Sequence, residues 1–322
     1  MNLYPLKFNP ILKERLWGGT KLKDVLDKPI ENDITGESWE LSAVKGDVSV
    51  VANGDLSGAS LQDLINKYPE ALLGKSVYAR FGTEFPILIK FIDAKQDLCI
   101  QLHPNDELAK KRHNSFGKTE MWYIMDADKG AELIVGFNKD VTKEEYAKSI
   151  EEDTLLDLLN YESVKEGDTF FINTGKMHAI GAGVLLAEIQ QTSDITYRVF
   201  DFNRRDKNGN LRELHTDLAL DAIDYTKKDD FKVKYSDKKD SVNNMVSCPY
   251  FNTNILELTK DLELDVEKRD SFTIYMCVGG KATISNEFGS VSIKKGETTL
   301  VPAQSKKINI ITTSAKLLEV TI

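Results

Sequence analysis

Apolar positions along the chain fall mostly in short runs, which glycine, asparagine and aspartate interrupt. Short runs rich in β-branched and aromatic residues, bounded by turn-forming residues, are typical of β-strands. The clearest of these runs are residues 48–52, 87–92, 121–125, 132–135 and 169–172. Many short strands with few helices between them predict a mainly β fold, built as a barrel or a sandwich.

Four segments show helical patterns instead. Residues 60–73 begin at a serine that is suited to cap a helix and place leucine and isoleucine at helical spacing. Residues 142–159 begin with Thr142 and Glu145 in the arrangement of a capping box. The two shorter predicted helices are residues 105–111 and 216–223.

A weak internal repeat relates two parts of the chain. Residues 165–172 resemble residues 294–301, since each has a tight turn at glycine before an apolar strand. Upstream of them, residues 122–125 resemble residues 274–277. Two similar β units would account for the length of the chain.

The two copies differ in the residues that bear chemistry. The first copy has Glu120 and His178 where the second has Phe272 and Lys307. The second unit is therefore predicted to be structural.

A polar connector lies between the predicted units. Residues 225–240 are dense in lysine and aspartate and have little apolar periodicity, which is typical of exposed chain. We therefore predict a first unit over residues 1–240, which includes the helical insertions, and a second β unit over residues 241–322.

Composition limits the partners of the protein. The formal net charge of the 322 residues is −9, which argues against non-specific binding to nucleic acid. An anionic substrate would need a local cluster of basic side chains, because the overall field repels it. No apolar run approaches the roughly 18 residues of a membrane span, and the N-terminus lacks a secretory pattern. Neither a nucleic acid nor a membrane is expected as a partner.

The three cysteines suggest a reducing compartment. Cys99, Cys248 and Cys277 are odd in number and far apart, so they predict neither a disulfide framework nor a CxxC metal pair. A cytoplasmic location is therefore expected. Cys99 is expected to be a small buried side chain rather than a nucleophile.

Four polar side chains lie where neighbouring strands would bring them together. Gln101 and His103 are two residues apart in a β-forming run, so their side chains share a face. Glu120 begins a second run, and His178 follows a third. An amide oxygen, a carboxylate and two imidazoles suit one divalent metal, such as catalytic zinc with an open position.

Ordinary structural roles compete with this hypothesis. An isolated carboxylate at Glu120 is costly to bury, which favours a metal or a cationic partner. Lys118 would share the face of Glu120 and would supply a plain salt bridge. His113 lies in a polar stretch and His215 precedes a predicted helix, so exposed and structural positions are expected for them. The pattern alone leaves the metal and the salt bridge open.

Two further basic residues have two possible roles each. Lys90 interrupts an apolar run, so its amine either extends to the surface or faces a functional cavity. Arg198 either forms a buried ion pair with Asp194 or Asp201, or acts as a fixed cation for an oxyanion or a phosphate. Their spacing does not distinguish these roles.

Seven motifs, in order between about residue 10 and residue 205, resemble those of type I mannose-6-phosphate isomerases. They are ERLWGG at 14–19, GESWE at 36–40, PILIK at 86–90, IQLHPND at 100–106, GKTEMWY at 117–123, GKMHA at 175–179 and SDITYR at 193–198. The resemblance implies a mainly β chain of two cupin-like β-barrel (jelly-roll) units with a few inserted α-helices. Residues 1–240 would be the catalytic cupin domain, and residues 241–322 a cupin-like domain without metal ligands.

The resemblance also implies roles for individual residues. The implied ligands of one zinc ion are Gln101, His103, Glu120 and His178. Arg198 is implied as the catalytic arginine, and Lys90 and Lys118 would line the substrate pocket. The implied reaction interconverts mannose 6-phosphate and fructose 6-phosphate through a cis-enediol. Lys118 is a candidate for the proton-shuttling base if neighbouring cations lower its pKa.

Two other functions fit parts of the pattern. An iron-dependent cupin oxygenase uses two histidines and one carboxylate, as His103, Glu120 and His178 would provide. A non-catalytic cupin would bind a sugar phosphate without converting it. The arginine and the lysines favour a small sugar-phosphate substrate over the oxygenase, and an isomerase assay separates the enzyme from the binding protein.

Overall fold

The computed structural model describes residues 2–205, 208–229 and 231–322. Within these ranges the chain forms twenty strands and seven short α-helices, so the prediction of a mainly β fold is confirmed. The strands are β1 (Ile11–Gly19), β2 (Thr35–Leu41), β3 (Ala43–Val44), β4 (Asp47–Val48), β5 (Ile87–Ala94), β6 (Ile100–Leu102), β7 (Glu120–Ala127), β8 (Glu132–Phe137), β9 (Leu159–Ser163), β10 (Thr169–Ile172), β11 (His178–Ile180), β12 (Val184–Gln191), β13 (Tyr197–Phe200), β14 (Val242–Ser247), β15 (Asn252–Leu258), β16 (Leu262–Asp265), β17 (Thr273–Asn286), β18 (Gly289–Lys294), β19 (Thr298–Val301) and β20 (Lys307–Thr321). The helices are α1 (Lys21–Asp24), α2 (Leu61–Lys67), α3 (Pro69–Leu73), α4 (Lys75–Phe81), α5 (Asp106–His113), α6 (Lys143–Glu151) and α7 (Thr216–Ala219).

The predicted helices form, but with different bounds: α6 and α7 end earlier than the patterns indicated, whereas α5 extends to His113. The segment 60–73 divides into α2 and α3, because Pro69 forces the preceding Tyr68 out of the helical conformation. The capping box of Thr142 and Glu145 is present at the start of α6. None of the described helices is both long and apolar enough to cross a membrane.

Two facing sheets contain most strands of the first 200 residues. One sheet has six strands in the order β1-β2-β5-β12-β7-β10, and the other has five in the order β13-β6-β11-β8-β9. Side chains from both sheets form one buried apolar cluster between them, which includes Ile92, Trp122, Leu133 and Ile180. The inner faces of the two sheets therefore enclose the space in which a site can form.

The C-terminal unit is a seven-stranded sheet over residues 242–321. Its two longest strands, β17 and β20, pair with each other along most of their length and with further strands at their ends. The described chain shows open sheets rather than a closed barrel, so the expected architecture of two jelly-roll barrels is not confirmed. Barrel closure depends on pairing between edge strands, which short sequence patterns do not specify.

The internal repeat is present, but its register differs by one residue from the sequence alignment. Ile172 pairs with Glu120 in the first unit, and the matching Val301 pairs with Thr273 in the second. Thr273, rather than Phe272, therefore occupies the position of Glu120. Because a slip of one residue reverses the face of a strand, Phe272 points instead into the core between the units.

A second apolar core joins the two units. It lies between the outer face of the six-stranded sheet, the helices α2 to α4 and the C-terminal sheet, and includes Tyr123 and Met276. Within it, the rings of Phe85 and Phe272 stack with centroids 5.0 Å apart. Both side chains are at most 1% exposed. The units are thus held together by hydrophobic burial.

The stacked pair gives a stability prediction. Phe272→Ala should lower the free energy of unfolding by about 3–5 kcal/mol, because it leaves a cavity in a packed core. Urea unfolding measures this change. The control Phe288→Ala removes a ring that is 38% exposed, so its effect should stay near about 0.5 kcal/mol. An equal decrease of the free energy of unfolding in the two variants would contradict the role assigned to the stacked pair.

Candidate functional site

A cavity of about 430 Å³ lies between the two facing sheets. Its walls come from β1, β2, β5 and β12 on one side and from β6 and β13 on the other. Both polar and apolar side chains line it, as is usual for a small-molecule site. The residues predicted from sequence all lie in or next to its walls.

One row of polar side chains crosses the five-stranded sheet. Gln101 on β6 pairs with His178 on β11 and with Arg198 on β13. Directly opposed residues of antiparallel strands point to the same face, so all three belong to one side of the sheet. His103 lies two residues after Gln101 and continues this face. Gln101, His103 and His178, three of the four residues that were predicted to converge, thus share one face of this sheet.

A second row crosses the six-stranded sheet on the opposite side of the cavity. Trp39 pairs with Lys90, Lys90 with Glu188, and Glu188 with Trp122. Glu120 lies two residues before Trp122 on β7, so its side chain shares this inner face. The expected alternative that Lys90 reaches the surface is wrong, since its side chain is only 8% exposed and lines the cavity.

Three side chains converge at one end of the cavity. Single ligand atoms of His103, Glu120 and His178 all lie within 4.8 Å of one another. The Nε2 of His178 is 3.4 Å from Glu120 Oε1, and the Nε2 of His103 is 3.6 Å from Glu120 Oε2. The side-chain nitrogen of Gln101 is 3.3 Å from His178 Nε2. The first three residues are at most 1% exposed.

Backbone carbonyls orient both imidazole rings. The Nδ1 of His103 is 2.9 Å from the carbonyl oxygen of Ile195, and the Nδ1 of His178 is 2.8 Å from that of Lys176. A carbonyl only accepts, so each Nδ1 carries the proton and each Nε2 presents a lone pair to the centre. Burial lowers the pKa of both rings, that of His178 to about 3, which keeps them neutral.

A tight turn positions His178. Gly175 has a φ of +78°, and a side chain there would meet the carbonyl oxygen of Ala222 at 2.5 Å. Its backbone N–H donates to the carbonyl of His103 at 2.8 Å, which ties the two histidine segments together. Glycine is therefore required at this turn because both the backbone angle and the space exclude a Cβ.

Glu120 has less compensating charge than its burial demands. Burial raises its pKa to about 7, although the charge of Lys118 opposes this shift. The Nζ of Lys118 is 2.8 Å from Oε2, yet neither carboxylate oxygen has a well-formed hydrogen bond among the described residues. A buried carboxylate whose charge Lys118 compensates only in part, facing two imidazole lone pairs, is a donor set that fits a divalent cation.

The carboxylates of the protein raise the pKa of Lys118, the candidate general base. Burial acts to lower its pKa, but the charges of Glu120 and Glu188 outweigh burial and the pKa is raised. The ammonium lies 3.2 Å from His103 Nε2, directly beside the cluster. The candidate base role rested on a lowered pKa, and the two carboxylates produce the opposite shift.

Arg198 faces the cavity without the ion pair that its sequence neighbours suggested. Asp201 instead accepts hydrogen bonds from Arg204 and Arg212. The Nη1 of Arg198 donates to the carbonyl of Glu213 at 2.7 Å. Its Nε is buried and has no hydrogen-bond partner within the described ranges, so the guanidinium is available to a ligand.

Sequence reasoning assigned no role to several cavity residues. Glu188 is 3.0 Å from Lys90 Nζ, and its other oxygen accepts the indole N–H of Trp122 at 2.9 Å. Glu37 likewise accepts the indole N–H of Trp39 at 2.8 Å. The sequence signal for Glu188 was a single acidic residue inside an otherwise apolar predicted strand. For Glu37, assigning the GESWE motif to a strand would have shown that its side chain shares a face with Trp39.

The remaining histidine and cysteine expectations are mostly met. Cys99 is buried, and its Sγ donates to Gln101 Oε1 at 3.3 Å. All three cysteines are free. His113 is exposed and hydrogen-bonds the hydroxyl of Tyr197. The Nδ1 of His215 accepts the backbone N–H of Arg198 at 3.1 Å, which is a structural role.

The C-terminal unit is connected to the site by hydrogen bonds. The hydroxyl of Tyr250 donates to Asp106 at 2.6 Å, and Asp106 also accepts from Gly117 N–H at 2.8 Å and from Gln191 at 3.1 Å. The side-chain oxygen of Gln191 then accepts the backbone N–H of Thr119 at 2.8 Å. This chain of contacts ends on the residue next to Glu120.

The facing sheets and the buried polar cavity between them define a β-sandwich protein with an enzyme-like active site. A family model described as "Phosphomannose isomerase type I, catalytic domain" matches residues 5–149. A second model, "Mannose-6-phosphate isomerase, cupin domain", matches residues 241–321. The chain belongs to the type I mannose-6-phosphate isomerase family, a family of enzymes, as its motifs predicted.

Individual relatives support this assignment over almost the full chain. Mannose-6-phosphate isomerase ManA of Bacillus subtilis is 38% identical over 306 residues, which cover 94% of each chain. The mannose-6-phosphate isomerase of Streptococcus mutans is 32% identical over 92% of each chain. The crystal structure of the Bacillus subtilis mannose 6-phosphate isomerase matches with a TM-score of 0.89 at 32% identity, covering 99% of this chain and 100% of that one.

The buried pair of Lys90 and Glu188 predicts a pH dependence of stability. Burial alone would raise the pKa of Glu188, but Lys90 and Lys118 outweigh it and hold the pKa at about 2, below the ordinary 4.5. The ionised form therefore stabilises the fold above about pH 4.5, and this contribution is lost as the pH falls towards 2. Glu188→Gln should lower the free energy of unfolding most at pH 6 and least near pH 3.

Urea unfolding of both proteins at several pH values measures the difference. Glu144→Gln, on an exposed part of α6, serves as the matched control and should change stability little at any pH. If the loss of unfolding free energy in Glu188→Gln is the same at pH 6 and at pH 3, the charge of Glu188 does not stabilise the fold.

Proposed function

We propose that the chain interconverts mannose 6-phosphate and fructose 6-phosphate in the cavity between the two sheets, using one zinc ion per chain. The observation that carries the proposal is the convergence of two neutral imidazoles and the buried carboxylate of Glu120, whose oxygens lack well-formed hydrogen bonds, in the cavity that Arg198 lines. Membership of an isomerase family supplies the reaction. The rival functions, an iron-dependent oxygenase and a non-catalytic sugar-phosphate binder, become outcomes of the test.

The proposed domain bounds are those predicted from the sequence. Residues 1–240 form the catalytic cupin unit, and residues 241–322 form a cupin-like unit without metal ligands. Support comes from the strand pairing, which places Thr273 where the first unit has Glu120. The two jelly-roll barrels and the cytoplasmic location also stay predictions, the latter resting on the free cysteines.

The zinc ligands proposed are Gln101, His103, Glu120 and His178. When bound, zinc supplies a Lewis acid that polarises the sugar carbonyl and orients the adjacent hydroxyl. The amide of Gln101 now turns its nitrogen towards His178 and its oxygen towards Cys99. A half-turn of the amide would exchange the two atoms and present the oxygen, which is the ligating atom.

The cationic side chains act on the sugar itself. The reaction moves one proton from C2 of the open-chain aldose to C1 and a second from the C2 hydroxyl to the C1 oxygen, through a cis-enediol. Negative charge develops on these sugar oxygens. Arg198, with an unpaired buried Nε, would stabilise that charge by hydrogen bonds that strengthen in the transition state. Lys118 would donate to a substrate oxygen as the second catalytic group, and Lys90 would hold a substrate hydroxyl from the opposite wall.

A coupled assay for fructose 6-phosphate, run with metal analysis on one preparation, tests the proposal. The protein should hold about one zinc per chain and form the ketose. A chelator should remove the zinc and stop formation of the ketose, because the reaction would lose its Lewis acid. Added zinc should restore activity. Undiminished isomerisation without metal would overturn the zinc role. Oxygen consumption, or sugar-phosphate binding without turnover, would establish the respective rival.

Variants at two histidines separate the metal site from general effects. His178→Ala should lose both bound zinc and activity, since it removes one of the converging nitrogens. His113→Ala, at an exposed position, should keep both. A zinc-loaded and active His178→Ala protein would contradict the ligand assignment.

Arg198 gives a separate catalytic prediction. Arg198→Ala should leave zinc content and the unfolding midpoint unchanged while it lowers kcat by about 100-fold, a typical loss for one oxyanion stabiliser. Steady-state kinetics and metal analysis of the same sample measure these quantities. A near-normal kcat would mean that Arg198 has only a structural role.

A further inference from the structure

We propose that Arg212 binds the phosphate group of the substrate at the outer end of the cavity. The inference rests on the proposed function and deepens it, because it assigns the residue that recognises the anionic end of the sugar. Neither the motifs nor the proposed metal site includes Arg212.

The lysines at the inner end of the cavity are already paired with carboxylates. Lys118 Nζ lies 2.8 Å from Glu120 Oε2, and Lys90 Nζ lies 3.0 Å from Glu188 Oε1. Their side chains are 6% and 8% exposed. A phosphate dianion placed beside Lys90 would meet Glu188 at close range and would be repelled by it. The lysines therefore suit neutral hydroxyl and carbonyl oxygens better than a phosphate.

The opposite wall places Arg198 and Arg212 against one lining carboxylate, Asp194. Asp201 is shared by two arginines, since Arg204 Nη2 and Arg212 Nε each lie 2.5 Å from one of its oxygens. Arg198 forms no ion pair within the described ranges and donates instead to the carbonyl of Glu213. A chain with net charge −9 needs such a local excess to attract a dianion.

Of the two arginines on Asp201, only Arg212 faces the cavity. It belongs to the cavity wall, whereas Arg204 directs its Nη1 to the backbone carbonyl of Asp97. Arg212 contacts Asp201 through Nε and Nη2, along one edge of the guanidinium. A planar guanidinium fixed along one edge can bind phosphate oxygens with the other. Asp201 thus holds Arg212 in one orientation.

Arg212 lies outside the cluster of His103, Glu120 and His178 but lines the same cavity. It is close to Cys99, whose Sγ donates to Gln101 Oε1 at 3.3 Å. Gln101 in turn lies 3.3 Å from His178. Cys99 and Gln101 therefore lie between Arg212 and the cluster. The reacting carbons and the phosphate are likewise at opposite ends of an open-chain hexose 6-phosphate.

Binding at Arg212 would also support catalysis at a distance. The residue after it, Glu213, provides the carbonyl that holds Arg198 Nη1 at 2.7 Å. A phosphate bound to Arg212 would immobilise this segment and, through it, the catalytic guanidinium. Binding energy from the remote phosphate then helps to orient the reacting end.

Kinetics of three variants test the inference. Arg212→Ala should lower kcat/KM for mannose 6-phosphate by about 100-fold, mainly through KM, because it removes a charged hydrogen-bond partner. Arg212→Lys keeps the charge and should recover part of the loss. Arg204→Ala shares the same carboxylate but does not line the cavity, so it should stay within about 3-fold of the wild type. Zinc content should be unchanged in all three.

Equilibrium binding keeps this test independent of turnover. Sorbitol 6-phosphate carries the phosphate but no carbonyl, so it cannot isomerise, and calorimetry gives its Kd. Arg212→Ala should raise this Kd by about 100-fold, and Arg204→Ala should not. An unreactive wild type that shows this contrast would disprove the isomerase and leave the phosphate site standing. Normal binding by Arg212→Ala, equal losses in Arg204→Ala, no wild-type binding, or loss of zinc would overturn the inference.

Discussion

The burial of Glu120 without enough opposite charge is the constraint on which the site depends. Its carboxylate sits between two sheets, faces two neutral imidazoles and is stabilised by the charge of Lys118 and, to a lesser extent, that of Lys90. Burial nevertheless raises its pKa, so a further positive charge would stabilise the ionised form. The hydrogen bonds on both Nδ1 atoms keep the Nε2 lone pairs turned towards this carboxylate, an arrangement that would suit a bound cation.

Antiparallel strand pairing builds the rest of the cavity around Glu120. Each wall contains a row of directly opposed residues, so the pairing fixes where neighbouring side chains lie relative to one another on the wall. Lys90 and Glu188 pair on the six-stranded wall, whereas the five-stranded wall and the segment after it carry Arg198 and Arg212. The cavity thus pairs opposite charges at its inner end and carries arginines at its outer end, as the proposed sugar phosphate would require.

Much of this arrangement could be predicted from sequence, because strand alternation is a local property. The strand 169–172 and the shared face of Gln101 and His103 follow from period-two patterns alone. The rest depends on long-range pairing. Barrel closure and the one-residue register of the repeat are set by partners distant in sequence. Glu188 was overlooked because a single acid in an apolar strand resembles an ordinary exception, and Arg212 because it lies in irregular chain.

The hydrogen bonds from Tyr250 through Asp106 and Gln191 to Thr119 give the C-terminal unit a role beyond its own packing. The tyrosine hydroxyl helps to fix the backbone immediately before Glu120 in the first unit. The C-terminal sheet therefore supports the cavity from outside, and its loosening would shift Glu120 relative to the two histidines before the protein unfolds. A substitution at Tyr250 would act on Glu120 in this way even though Tyr250 itself does not line the cavity.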